Sequence, residues 1–182
     1  MKHVAALLLV LACGTAAAAW WPIDSARSHA RFSVRTLWFT HVRGQFGAVY
    51  GELHSVDAQR DVVDARIDAA SLSMDDPAAL QEARGADFFD VATYPRIHFV
   101  SKPFSADALR DGGVLDGTLE LHGQRREAEF QLEPSSCPAQ PLACEVRVEG
   151  TLSRSAFGMR AHRGLLSDRV SLTMIIALGE PR

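Results

Sequence analysis

An all-β domain, closed as a barrel or a sandwich and interrupted by one short helix, is what this sequence predicts. Apolar and polar residues alternate in segment after segment, the period-2 pattern of strands with one buried face. Turn-forming residues separate those segments, and no long run at helical period is present to cover an open sheet, so the apolar faces must bury one another.

The chain opens with Lys2, an apolar run from Val4 to Ala12, and small residues ending in Ala17, Ala18 and Ala19. That order of charge, apolar core and cleavage site is a secretory signal. The reading is a signal peptide over 1–19 and one domain over 20–182, exported to the periplasm. About nine apolar residues are too few to cross a bilayer, which needs roughly 20. An alternative stays open: Leu9 to Cys13 also fits a lipobox, in which Cys13 is lipidated. Removing 19 of 182 residues leaves 163, a usual size for a single core.

The strand segments follow in order. Ala30, Phe32 and Val34 alternate with Arg31, Ser33 and Arg35; Phe46, Ala48 and Tyr50 follow Gly44. Val63, Ala65, Ile67 and Ala69 alternate with Asp64, Arg66 and Asp68. The helix is placed at Asp75 to Gly85: Asp75 or Asp76 caps it, Pro77 suits the first turn and Gly85 the end. Beyond it lie Ile97 and Phe99; Leu115, Leu119 and Leu121; Ala128, Phe130 and Leu132; Val146 and Val148; and Val170 to Leu178. About eight strands result. Asp111-Gly112-Gly113 and His122-Gly123-Gln124 read as hairpin connections.

Composition excludes several classes. With 19 Lys plus Arg against 22 Asp plus Glu, scattered singly, the chain has no basic stripe for nucleic acid. Cys137 and Cys144 lie in one Pro- and Ser-rich loop and are expected to form a structural disulfide, worth roughly 2 to 3 kcal/mol on a loop-entropy estimate; C-x-x-C spacing is absent. The histidines His29, His41, His54, His98, His122 and His162 show no metal-binding spacing, so no metal site is expected. No nucleophile elbow, phosphate loop or dinucleotide fingerprint occurs, and no catalytic residue is assigned. Asp24, Ser28, Asp87, Asp90, Arg154 and Asp168 read as turn caps or arginine partners. The cluster Phe88, Phe89, Tyr94 and Pro95 reads either as lumen lining or as a packed corner.

Several motifs then coincide in order: Trp21-Pro-Ile-Asp-Ser-Ala-Arg-Ser28, Val42-Arg-Gly-Gln-Phe46, Asp87-Phe-Phe-Asp-Val-Ala-Thr-Tyr-Pro-Arg-Ile-His-Phe-Val-Ser101, Leu115 to Gly123, Leu152-Ser-Arg-Ser-Ala-Phe-Gly-Met159 and Ser167-Asp-Arg-Val170. In these the chain resembles the YceI-like, polyisoprenoid-binding family from Trp21 to about Leu178. The resemblance implies an extended, lipocalin-like antiparallel β-barrel with one helix, whose apolar lumen holds a long-chain isoprenoid such as a polyprenyl compound or an isoprenoid quinone. Where the family carries a His-Leu-Arg-Ser-like stretch, this chain reads Gln81-Glu-Ala-Arg-Gly-Ala86, so no role of that histidine is carried over.

On this reading the lumen wall comprises Phe32, Val34, Trp38, Phe39, Phe46, Ile67, Ile97, Phe99, Leu119, Phe130, Met174 and Ile176, with Trp38 and Phe39 at an entrance. The expected function is binding or carriage of that lipid, with no catalytic cofactor and with a membrane redox protein as a candidate partner. The alternatives are an enzyme acting on a lipid or quinone, which needs a polar group in the lumen, and a ligand-free interaction module serving a redox or stress-response system.

Overall fold

The structure is a computed structural model that describes residues 20–37 and 40–181. Twelve strands form one antiparallel sheet: β1 (Trp20–Pro22), β2 (His29–Thr36), β3 (His41–Phe46), β4 (Val49–Ser55), β5 (Arg60–Asp68), β6 (Leu72–Ser73), β7 (Arg96–Ser101), β8 (Phe104–Ser105), β9 (Gly113–Leu121), β10 (Gln124–Leu132), β11 (Val146–Ser153) and β12 (Leu166–Ile176). Every predicted strand segment contains strand. The larger number comes from β1, β6 and β8, pieces of two or three residues too short to show alternation, and from one predicted segment that proves to be two strands.

The sheet order is β1-β4-β5-β7-β9-β10-β11-β12-β2-β3-β6, with β8 on β5. Its ends curl toward each other, because the chain leaving β12 meets the chain leaving β1. Ile23 bridges Leu178, the Asp24 N–H donates to the Ala177 carbonyl at 2.9 Å, and the Gly179 N–H to that of Pro22 at 2.7 Å. Ser28, buried, clamps the same seam by donating to the Ala177 carbonyl and accepting from its N–H.

Alternation sets the register wherever the chain is continuous. On β10, Ala128, Phe130 and Leu132 are buried while Glu129 and Gln131 are exposed. It fails between Phe46 and Tyr50. The strand predicted there is two strands, and the Gly47-Ala48 break shifts the inward face by one residue, so Phe46 and Val49 are buried and Tyr50 faces out. Ala69, read as the end of β5, starts a 3-10 turn capped by the Asp68 carboxylate.

The turn chemistry divides in the same way. His122 and Gly123, with φ of 51° and 68°, join β9 to β10 as a two-residue hairpin, the left-handed pair that matches strand twist. The His122 ring is fixed there by the Phe157 carbonyl, 3.0 Å from Nδ1. Asp111-Gly112-Gly113 is not a hairpin. It ends a short helix α2 (Ala108–Asp111), where Gly112 at φ 81° donates to the Ala108 carbonyl. A single turn of helix carries too little periodicity to be read from sequence.

The predicted helix is α1 (Pro77–Arg84), capped by the Asp76 carboxylate, which accepts from the Ala78 N–H at 2.8 Å, and followed by Gly85. Such a cap contributes about 1 kcal/mol. Arg84 ties the helix to the sheet edge by donating to the Ala70 and Leu72 carbonyls. The segment after it spans one end of the barrel, where Tyr94 packs on His122. At the other end lie α2 and the loop containing Cys137 and Cys144. These two are joined, with Cα atoms 6.1 Å apart, and the Ser135 N–H donates to the Arg110 carbonyl.

Candidate functional site

The inward faces do not meet in a filled core. They surround a cavity of about 470 Å³, within the range of small-molecule sites. Ten of the predicted wall residues are on it: Phe32, Val34, Phe46, Ile67, Ile97, Phe99, Leu119, Phe130, Met174 and Ile176. Trp38 and Phe39 lie outside the described residues, as does Cys13. Their neighbours Thr36 and Val42 line the cavity.

Glycine makes room for the large rings. Phe32 lies opposite Gly44 and Phe130 opposite Gly150 in the strand register; a Cβ on either glycine would stand 2.5 Å from the ring it faces. Each ring therefore occupies the space above the facing glycine, where a larger residue would push it toward the lumen. Phe130 also meets Phe99 edge-on at 5.1 Å, a favoured aromatic geometry.

The aromatic cluster read two ways from sequence divides between both readings. Phe89 packs on Phe32 and Phe46, at 5.5 and 5.2 Å between ring centroids, and with Phe88 lines the cavity. Tyr94 is a packed corner, 5.0 Å from the His122 ring, and the Pro95 carbonyl accepts from the Ala69 N–H. Adjacent residues take different roles because the chain turns at Asp90, which has φ of 43°.

Polarity is confined to a few positions. Arg31, Thr36, Glu82, Arg154 and His162 are the polar members of the wall, and all its other residues are apolar. His162 Nε2 and Glu82 Oε1 are 2.6 Å apart, linking α1 to the loop before β12, and Phe88 stacks on the His162 ring at 5.9 Å. Arg154, 4% exposed, donates to the carbonyls of Met159, Ala161, Leu166 and Ser167 and so folds that loop around itself. Burial pushes its guanidinium pKa down, partly offset by nearby Asp168, although arginine stays charged. The Ser153 hydroxyl, aided by Ser155, holds the Asp168 carboxyl below its usual value. Asp24 accepts from Ala26 and pairs with Arg27. Asp24, Arg154 and Asp168 thus stabilise turns.

Sequence reasoning missed the meeting of Glu82 and His162 at the rim. Glu82 and His162 are 80 residues apart and share no motif, so only the fold brings them together. Among the described residues, no three His, Cys, Asp or Glu side chains are grouped to hold a metal ion, and no helix is long and apolar enough to cross a membrane.

Comparison with known proteins decides the family. A model described as the YceI-like domain matches residues 21–178. The chain belongs to the YceI-like family. Protein YceI of Escherichia coli O157:H7 is 24% identical over 177 residues, covering 92% of this chain and 91% of that one. A UPF0312 protein of Staphylococcus aureus (strain USA300) is 24% identical over 157 residues, 82% of this chain and 87% of the relative. Among solved structures, Burkholderia cenocepacia BcnA superposes with a TM-score of 0.71 at 20% identity, over 87% of this chain and 99% of BcnA. A polyisoprenoid binding domain from Saccharophagus degradans, implicated in plant cell wall breakdown, superposes with a TM-score of 0.62 at 15% identity, over 86% and 95%. These superpositions support the barrel reading over the sandwich.

Proposed function

We propose that this YceI-like protein binds a long-chain isoprenoid lipid, a polyprenyl compound or an isoprenoid quinone, in its lumen and carries it in the periplasm without catalysing a reaction. The observation that carries this reading is a cavity of about 470 Å³ whose wall is apolar apart from a few polar positions. Protein interiors close-pack, so a space of this size argues against a ligand-free core, and an apolar lining excludes ordered water. The polyisoprenoid binding domain of Saccharophagus degradans shares the fold and supports the choice of ligand class. The Cys137–Cys144 bond suits an oxidising compartment.

The driving force is burial, about 0.8 kcal/mol per CH₂, so a few isoprene units exceed the ordering cost before affinity saturates. Selectivity falls to the rim, where Thr36, Glu82 and His162 offer the hydroxyl, carboxylate and imidazole that a lipid head group meets. If the lipid is a quinone, a membrane redox protein is the partner this reading expects.

The test is solvent extraction of the purified protein followed by mass spectrometry. One polyprenyl chain or isoprenoid quinone per protein is expected, and Met174→Arg, which places a charge on the lumen wall, should purify folded and empty. Recovery of no isoprenoid from the wild-type protein expressed with its own leader would sink the proposal.

A further inference from the structure

The rim carries a feature that binding a lipid does not by itself require. Leu37 and Leu165 are 60% and 53% exposed, and the Leu37 N–H donates to the Leu165 carbonyl at 3.0 Å, so the two stand side by side where Leu165 lines the cavity. Single exposed leucines need no explanation. A pair at the opening of an apolar lumen is different, because it extends the lumen surface outward.

The segments that carry that pair are one-sided in charge. Arg35, Arg43, Arg160, Arg163 and Arg169 are all exposed, and none has a carboxylate partner among the described residues. Among the other described arginines, Arg27, Arg60, Arg66, Arg110, Arg125 and Arg147 each pair with an Asp or Glu, Arg84 and Arg154 are held by backbone carbonyls, and Arg31, Arg96 and Arg126 lack a carboxylate but lie scattered on separate strands. No acidic residue occurs from Ser25 to Gly51, and between Arg154 and Arg169 there is only Asp168, already held by Ser153 and Ser155. The acidic groups at this end belong to α1 and the segments beside it: Asp75, Asp76, which caps the helix, Glu82, which pairs with His162, and Asp87 and Asp90. A chain of net charge −3 therefore places unpaired arginines on the strands and loop that carry or flank its exposed leucines.

We propose that this rim docks on an anionic lipid surface, with the arginines against the head groups and Leu37 and Leu165 entering the apolar boundary. The lumen then opens directly onto the acyl layer, and a long apolar chain passes between them without crossing water. This rests on the lipid-lumen reading. A second copy is a poor occupant, since a two-fold contact would set arginine against arginine, whereas an anionic surface attracts such a cluster with a range that salt shortens.

The test is co-sedimentation of the mature protein with vesicles of phosphatidylglycerol and phosphatidylethanolamine, against vesicles of phosphatidylcholine, with extraction and mass spectrometry run in parallel. Binding is expected to the anionic vesicles only, and to be lost as salt rises. Each basic residue near such a surface is worth about 1 kcal/mol, or roughly fivefold, so Arg160→Glu with Arg163→Glu should lower binding at least about 25-fold. Leu37→Ser with Leu165→Ser should weaken binding without changing its salt dependence. All four positions are exposed, and unchanged thermal midpoints would confirm that the variants fold. Equal binding to both vesicle types, or charge reversal without effect, would overturn the docking face. So would a rim-to-rim dimer that the same variants dissolve, or a protein partner competed off by them while vesicles are ignored. Isoprenoid in the lumen with no vesicle binding overturns docking alone; vesicle binding with an empty lumen supports docking and overturns the lipid reading.

Discussion

Replacing Phe130 by Ala tests the register and the open lumen together. The ring is 4% exposed, meets Phe99 edge-on and lies over Gly150. In a filled core such a truncation costs about 3 to 5 kcal/mol. Here one side of the ring already faces the cavity, so fewer packing partners are lost and the lower end, about 3 kcal/mol, is expected for the lipid-free protein. With lipid bound the loss should be smaller, because the ligand's chain can settle into the vacated space. Glu129→Ala, on the outer face, should fall within about 0.5 kcal/mol of the wild type. Gln131→Ala should cost about 0.5 to 1.5 kcal/mol, because its side-chain amide donates to the Gly113 carbonyl at 2.8 Å. Urea titration of lipid-free and lipid-loaded samples reads all three. At a slope of about 2 kcal/mol per molar, Phe130→Ala should move the midpoint by about 1.5 M. A Glu129→Ala variant that loses as much as Phe130→Ala would refute the inward and outward assignment on β10.

Further outcomes follow from other parts of the molecule. Gly44→Ala places a methyl 2.5 Å from the Phe32 ring, which must swing into the lumen; isoprenoid recovered by extraction should fall while the protein remains folded, and undiminished recovery would show that Phe32 moves elsewhere. Thiol titration of the denatured, unreduced protein should find neither Cys137 nor Cys144 free. Replacing both by Ser should cost about 2.5 kcal/mol by the loop-entropy relation while lipid content holds, because their loop lies at the end away from the rim. The buried Nε2 of His29 has no hydrogen-bond partner among the described residues, and burial, with a smaller contribution from Arg31, pushes its pKa below 6.5. The unfolded chain then takes up the proton first, so this contribution to stability is present above about pH 6.5 and lost as pH falls through it. The thermal midpoint of His29→Gln should therefore drop less than that of the wild type between pH 7.5 and 5.5, and parallel drops would argue against the assignment.

What the sequence by itself determined is everything governed by near neighbours. Strand faces such as Ala128, Phe130 and Leu132 were legible because pleating makes alternation a local property. The helix was legible because Asp76, Pro77 and Gly85 sit at its ends, and the His122-Gly123 hairpin because two residues decide its turn. The wall residues could be named for the same reason, each lying on the apolar side of a strand. Tertiary structure alone decided what required distant parts of the chain. The Gly47-Ala48 break reverses the face of Tyr50 only because β3 and β4 belong to different parts of the curled sheet. The division of Phe88 and Phe89 from Tyr94 depends on which neighbours the cap meets. The meeting of Glu82 with His162, and of Leu37 with Leu165 among unpaired arginines, depends on closure of the barrel. Most of all, alternation reports that a face is apolar, not whether opposing faces touch. Whether they enclose a filled core or an open lumen is set by the curvature of the sheet, and that is a property of all its strands at once.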